Sequence, residues 1–171
     1  HLKSKGSACD DPDAGDLQGN CNIVRTIAAG VMADWLATDP TETADPDILI
    51  MGDLNSYAME DPIAALEDAG YTNLIRSRLG MYAYSYVFNA NWGYLDHALV
   101  SPSVLPFISG MTLYHINADE PSVLDYNTNY KTTDQIVSLY EPDQYRLADH
   151  DVTIVGLNLG MTYIYLPVIS N

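Results

Sequence analysis

Hydrophobic positions recur with helical spacing in "NIVRTIAAGVMADWLA". Ile23, Ile27, Val31 and Trp35 fall four apart, and Val24, Ala28, Met32 and Leu36 form the adjoining row. That pattern predicts an amphipathic helix, with Asn22 as its N-cap and "TDPTETADPD" as the stop and following loop. "DILIM" is a short unbroken apolar run, the mark of a fully buried strand. "DPIAALEDAG" returns to helical spacing, with Pro62 in the first turn and Gly70 at the end. Farther on, aromatic and β-branched alternation predicts a hairpin of "YSYVFN" and "YLDHALVS" joined by the turn "ANWG". "MTLYHIN" and "DVTIVGLNL" are further strands, the second entered through "YRLADH". Between them, Asp119 to Asp143 is a polar stretch too long for a passive connector. The tail "MTYIYLPVISN" is apolar and tyrosine-rich, as an added strand, a linker or an interface segment would be. Helices among the first strands and strands thereafter predict an α/β or α+β sandwich.

At 171 residues and 47% hydrophobic content, the chain suits a single domain with a real core. Seven Lys and Arg against 23 Asp and Glu give a net charge of -16, so the average surface repels nucleic acid, anionic lipid and phosphate esters. No membrane partner is expected. An anionic substrate would need a local cationic device, which a divalent metal held by carboxylates provides. Cys9 and Cys21 bracket the polar loop "CDDPDAGDLQGNC", and two thiols cannot build a four-thiolate zinc site. A disulfide closing so short a loop stabilises by roughly 3 kcal/mol and persists in oxidising compartments, so secretion is expected. The chain opens on histidine, so it is expected to represent part of a longer product, and the lack of a leader says nothing about targeting.

Three strands carry polar groups at or near their tips: Asp53 and Asn55 after "ILIMG", Asp96 within "GYLDHALVS", and Asp149 with His150 before "DVTIVG". A lone Asp-x-Asn after a strand usually caps its own backbone. The set carries more weight. An ionised acid inside an apolar strand is costly unless paired, and a histidine such as His150 is the cheapest partner for Asp96. Carboxylate and imidazole together make a competent general base.

The segments "HLKSKG", "GDLNSYAMEDPI", "YSYVFNANWGYLDHAL", "YHINADEPSVLDYN" and "YRLADHDVTIVG", in this order, resemble the C-terminal half of the secreted, deoxyribonuclease-like nucleases of the endonuclease/exonuclease/phosphatase superfamily. The resemblance spans residues 1–158 and leaves 159–171 as a tail outside it. It implies the C-terminal half of a four-layered α/β sandwich, two packed mixed β-sheets flanked by helices. It also implies a metal-dependent phosphodiesterase, most simply an extracellular nuclease of low sequence specificity acting on DNA or RNA. Phospholipid phosphodiesterase or phosphatase chemistry on the same fold is the nearest alternative; a structural, self-associating module using the tail is the other. By this resemblance His1 contacts the scissile phosphate or protonates the leaving oxygen. Asp53 and Asn55 orient the attacking water and hold the phosphate, Asp96 orients His150, the base or phosphate ligand, and either Asp53 or His150 takes the water's proton. Asp149, together with Asp53, binds the metal, and hard oxygen ligands select Mg2+, Mn2+ or Ca2+. The motif around His150 departs from the family's at its flanks, Ala148 and Val152, as do Tyr114 and Ala90. The family's N-terminal half, with a metal-binding Asn and Glu, has no counterpart here. The chain alone is therefore expected to be inactive, with a second chain as one source of the missing half.

Other residues have plainer readings. Lys3 and Lys5 could meet substrate phosphates but are more simply solvated. His97 faces away from Asp96 by strand alternation and is expected to be a packed or surface histidine. His115 is divided between core and active-site neighbour. Asp119, Glu120, Asp125 and Asn127 could bind structural calcium, though not with EF-hand spacing. The 13 tyrosines are mostly packing residues, some able to stack on bases.

Overall fold

A computed structural model of the chain describes residues 1–125, 127–139 and 143–160. The tail beyond Gly160, with its possible strand, linker or self-association role, lies outside the described residues. The elements are α1 (Asn22–Leu36), β1 (Leu49–Asp53), α2 (Asp61–Asp68), β2 (Thr72–Asn73), α3 (Leu74–Leu79), β3 (Tyr86–Phe88), β4 (Asn91–Gly93), β5 (Asp96–Val100), β6 (Ile108–Tyr114), α4 (Thr133–Leu139) and β7 (Val152–Leu157). Strands pair as β1-β5-β2, β3-β4 and β6-β7, and each of these described pairs is antiparallel. Ile50 and Leu99 of the central sheet pack under α1 and α2 with Ala29, Ala33, Ile63 and Leu66. Ala98 and Val100 pack with Leu74 and Val104, joined by Met111 of β6 and Val155 of β7. Helices, sheet and second sheet are thus layered by the alternation of β5, and the α+β class holds.

Helix α1 forms where the spacing predicts it, with a different face inward. An amphipathic helix ordinarily turns its large apolar stripe to the core. Here Ile23, Ile27, Val31 and Trp35 are 57–62% exposed, while Arg25, Ala29 and Ala33 are buried. The small alanines let α1 lie close to α2 and the sheet, with Met32 and Leu36 filling the margins. Asn22 is the first helical residue, and Cys21, with φ of 64°, occupies the N-cap without a side-chain cap bond. Other expectations shift similarly. β1 is only partly buried, since Met51 is exposed. "YLDHALVS" does not pair with "YSYVFN": residues 91–93 of the expected turn form β4 against β3, and β5 pairs with β1 and β2. Asp119 to Asp143 contains α4, and α3 was not anticipated.

Cys9 and Cys21 form the expected disulfide, with Cα atoms 6.0 Å apart. The loop it closes wraps the fully buried Arg25. The guanidinium donates to Asn20 O (2.6 Å), Gln18 O (3.0 Å), Lys3 O (3.4 Å) and Ser56 Oγ (3.2 Å). One side chain therefore ties the first residues, the cysteine loop and the turn after β1 together.

Candidate active site

The turn after β1 is built by its own side chains. Gly52 takes φ of 135°, and Asn55 takes φ of 49°, a left-handed conformation that asparagine tolerates better than most residues. Asp53 Oδ1 accepts the Asn55 backbone N–H at 2.7 Å, and Asp53 Oδ2 accepts the Asn55 amide at 3.0 Å. The Asn55 amide also donates to Leu2 O at 3.1 Å. His1 Nε2 lies 3.3 Å from that amide and 3.2 Å from Asp53 Oδ2. Leu2 N donates to Asp53 O, so the first residues run beside the tip of β1 and carry His1 to it.

In the β1–β5 register Asp53 stands directly opposite Asp96. Like charges so placed repel, an arrangement kept only where something offsets it. Two imidazoles do. His1 meets Asp53, and His150 Nδ1 bonds Asp96 Oδ2, leaving Nε2 on the far side of the ring, 4.0 Å from Asp149 Oδ1. His150 is placed by a bridge to Tyr86 on β3 and by the Asn117 amide, which donates to His150 O at 2.7 Å. The structure thus gathers His1, Asp53, Asn55, Asp96, Asp149 and His150 from segments far apart in sequence, with Asp149 the most exposed of the acids.

The electrostatics follow from this packing. Burial pushes the Asp53 carboxyl above the usual range; its bond from Asn55 N–H opposes this and the Asp96 charge adds to it. Burial alone would lower the His150 imidazole, but the hydrogen bond and charge of Asp96 outweigh it and raise it above its ordinary value. Bonding at Nδ1 fixes the tautomer, so a neutral His150 presents Nε2 as acceptor. Such a site can take a proton from water or present an imidazolium to an anion. Hard oxygens at Asp53 and Asp149 suit a divalent cation, and Mg2+ is commonly held by one or two carboxylates plus substrate phosphate. Among the described residues no three acids, histidines or cysteines converge into a ready-made cage.

The remaining candidates separate. Lys5 pairs with the buried Glu60 and lies 4.7 Å over the Tyr57 ring, while Lys3 is exposed. The calcium reading of the long loop finds no support among the described residues: Asp119 accepts from Tyr84 Oη at 3.0 Å, and Lys131 Nζ donates to the backbone carbonyls of Asp125 and Asn127. His115 stacks on Tyr84 and bonds Asp151 at 2.7 Å. Asp151, which the sequence reading passed over, is buried and accepts the N–H groups of Ile116, Asn117 and Ala118 at 2.8–3.1 Å. It clamps the turn that presents Asn117 to His150. Arg25, Glu60 and Tyr86 were also missed; a lone charge in an apolar helix and an acid before "DP" were their only signals.

His97 is packed, one of the two outcomes that alternation leaves open. It is fully buried, bonds Ser56 O at 2.7 Å through Nε2, and burial lowers its pKa to about 4. The folded state keeps it neutral while the unfolded chain protonates near its ordinary value of 6.5. Acidification from about pH 6.5 to 4 should therefore remove stability at up to about 1.4 kcal/mol per pH unit through this group. Urea titrations across that range should show a shallower slope for His97→Gln, and equal slopes would contradict the assignment.

The family model described as the Endonuclease/Exonuclease/phosphatase family matches residues 24–122, more than half of the chain, including Asp53, Asn55 and Asp96. No curated protein matches the chain. The match assigns hydrolase chemistry of the phosphodiesterase and nuclease type, and such enzymes generally use divalent metals. A tip where two opposed acids are each met by an imidazole, with an amide between, fits that chemistry, and on the match the chain belongs to the endonuclease/exonuclease/phosphatase family.

Proposed function

We propose that this chain carries the C-terminal part of an extracellular, divalent-metal-dependent nuclease that hydrolyses DNA, and RNA by the same chemistry, with low sequence specificity. The observation that carries the reading is the Asp53–Asp96 pair, opposed across two strands and met by His1 and His150. A phosphodiester is already anionic, so hydroxide is repelled and the alkoxide leaves poorly. A bound divalent cation would neutralise that developing charge, held by Asp149 and Asp53 with further ligands from outside this chain. The Asn55 amide and His1 face the place for the phosphate; His150, fixed by Asp96, accepts the water's proton at Nε2 or donates to phosphate oxygen. The disulfide supports an oxidising compartment. The full natural protein should nick plasmid with magnesium and lose that activity in EDTA. Hydrolysis of sphingomyelin or inositol phosphates in preference to DNA would favour the phospholipid or phosphatase reading, and activity unaffected by EDTA would overturn the metal dependence.

A further inference from the structure

A cleft of about 750 Å³ adjoins the site at Asn55, and its walls include Tyr57, Tyr86 and Phe88. Two of its aromatic side chains, Tyr86 and Phe88, form a row that begins at the His150 imidazole. The Tyr86 ring lies 4.5 Å from that of His150, and Phe88, 57% exposed, lies parallel to Tyr86 at 6.1 Å with only 6° between planes. Tyr57 lines the same cleft and packs on Gly93 of β4, where a Cβ would stand 2.7 Å from the ring. Cations are scarce: Lys5 lines the cleft but is committed to Glu60, in a chain of net charge -16. Duplex recognition through phosphates calls for several free Lys or Arg, whereas aromatic faces take bases of any sequence when those bases are unpaired. The 6.1 Å step is nearly double the roughly 3.4 Å rise per nucleotide of a duplex strand. Bases resting on successive rings would belong to an extended strand.

Resting on the nuclease reading, we propose that the Tyr86–Phe88 row is a stacking platform for the unpaired bases flanking the scissile phosphate, so that the enzyme takes single-stranded nucleic acid in preference to intact duplex. Asn55, proposed to meet the phosphate, lines the same cleft as Tyr86 and Phe88, so a strand held there by its phosphate has the rings within that cleft.

The test measures binding without turnover. In EDTA, a fluorescein-labelled single-stranded oligonucleotide and the same sequence paired into a hairpin are titrated with the full natural protein, wild type and Phe88→Ala. The single strand should bind at least tenfold more tightly than the hairpin, Phe88→Ala should remove about tenfold of that affinity, and Trp35→Ala, an exposed aromatic on α1, should change nothing. Equal binding of both forms, an unaffected Phe88→Ala variant, or preferential capture by phosphatidylcholine vesicles overturns the proposal. Hydrolysis of bis(p-nitrophenyl) phosphate with magnesium is followed in parallel. This base-free diester should be cleaved equally by wild type and Trp35→Ala; loss of its hydrolysis in the wild type would instead strike the phosphodiesterase reading, whatever the binding shows.

Discussion

His150→Ala is expected to lower phosphodiester hydrolysis by about two to four orders of magnitude, the usual contribution of a positioned acid or base. The fold should tolerate the change, because the ring is only partly buried and its backbone is held independently by Asn117 and by the bridge to Tyr86. The effect should fall on kcat, with a loss of stability of about 1–2 kcal/mol because Asp96 loses the imidazole that offsets Asp53. Asp96→Asn provides the accompanying signature. Asp96 raises the His150 pKa, so when His150 must be neutral to accept a proton, the rate rises with pH through a value above that of an ordinary histidine. Removing the carboxylate's charge should move that limb to lower pH and reduce the maximum rate. A pH–rate profile of both variants with a soluble diester checks this; an Asp96→Asn profile superimposable on the wild type would separate the pair from the chemistry.

Arg25→Leu is expected to give the largest loss of stability, about 3 kcal/mol or more, since it leaves three backbone carbonyls and the Ser56 hydroxyl without their donor. For a chain of this size that corresponds to a melting temperature lower by roughly 6–12 °C. The loss should also reach the site, because Ser56 follows Asn55 and Lys3 lies two residues from His1. Thermal unfolding and diester hydrolysis measured together would show a lower midpoint and a raised KM or lowered kcat well below that midpoint. Stability within about 0.5 kcal/mol of wild type would mean that water replaces the guanidinium at all four partners.

How far the sequence foretells this structure depends on whether local chemistry decides the outcome. The Asp-x-Asn turn is legible because asparagine accommodates a left-handed backbone and aspartate caps it two residues on. The meeting of Asp96 with His150 follows from the cost of an unpaired acid in an apolar strand. The phase of α1 was not legible: periodicity reports apolar rows, whereas the inward row was selected by the close approach of Ala29 and Ala33 to α2. Nor was the partner of β5, because hairpin signals favour the neighbouring strand and cannot register a long-range pairing with β1. Arg25 and Asp151 stayed hidden for the same reason. Their value lies in backbone groups brought from elsewhere, which no spacing along the chain records.

On the proposed function, the tip of β1 binds the metal and the scissile phosphate together. Line broadening by substoichiometric Mn2+ in the nuclear magnetic resonance spectrum of the full natural protein, with and without a phosphorothioate dinucleotide, tests it most directly. Signals of Asp53, Asn55, Asp149 and His150 should broaden first, and the dinucleotide should sharpen that preference. Broadening centred instead on the acidic cysteine loop or on residues 119–125, indifferent to the dinucleotide, would contradict the account.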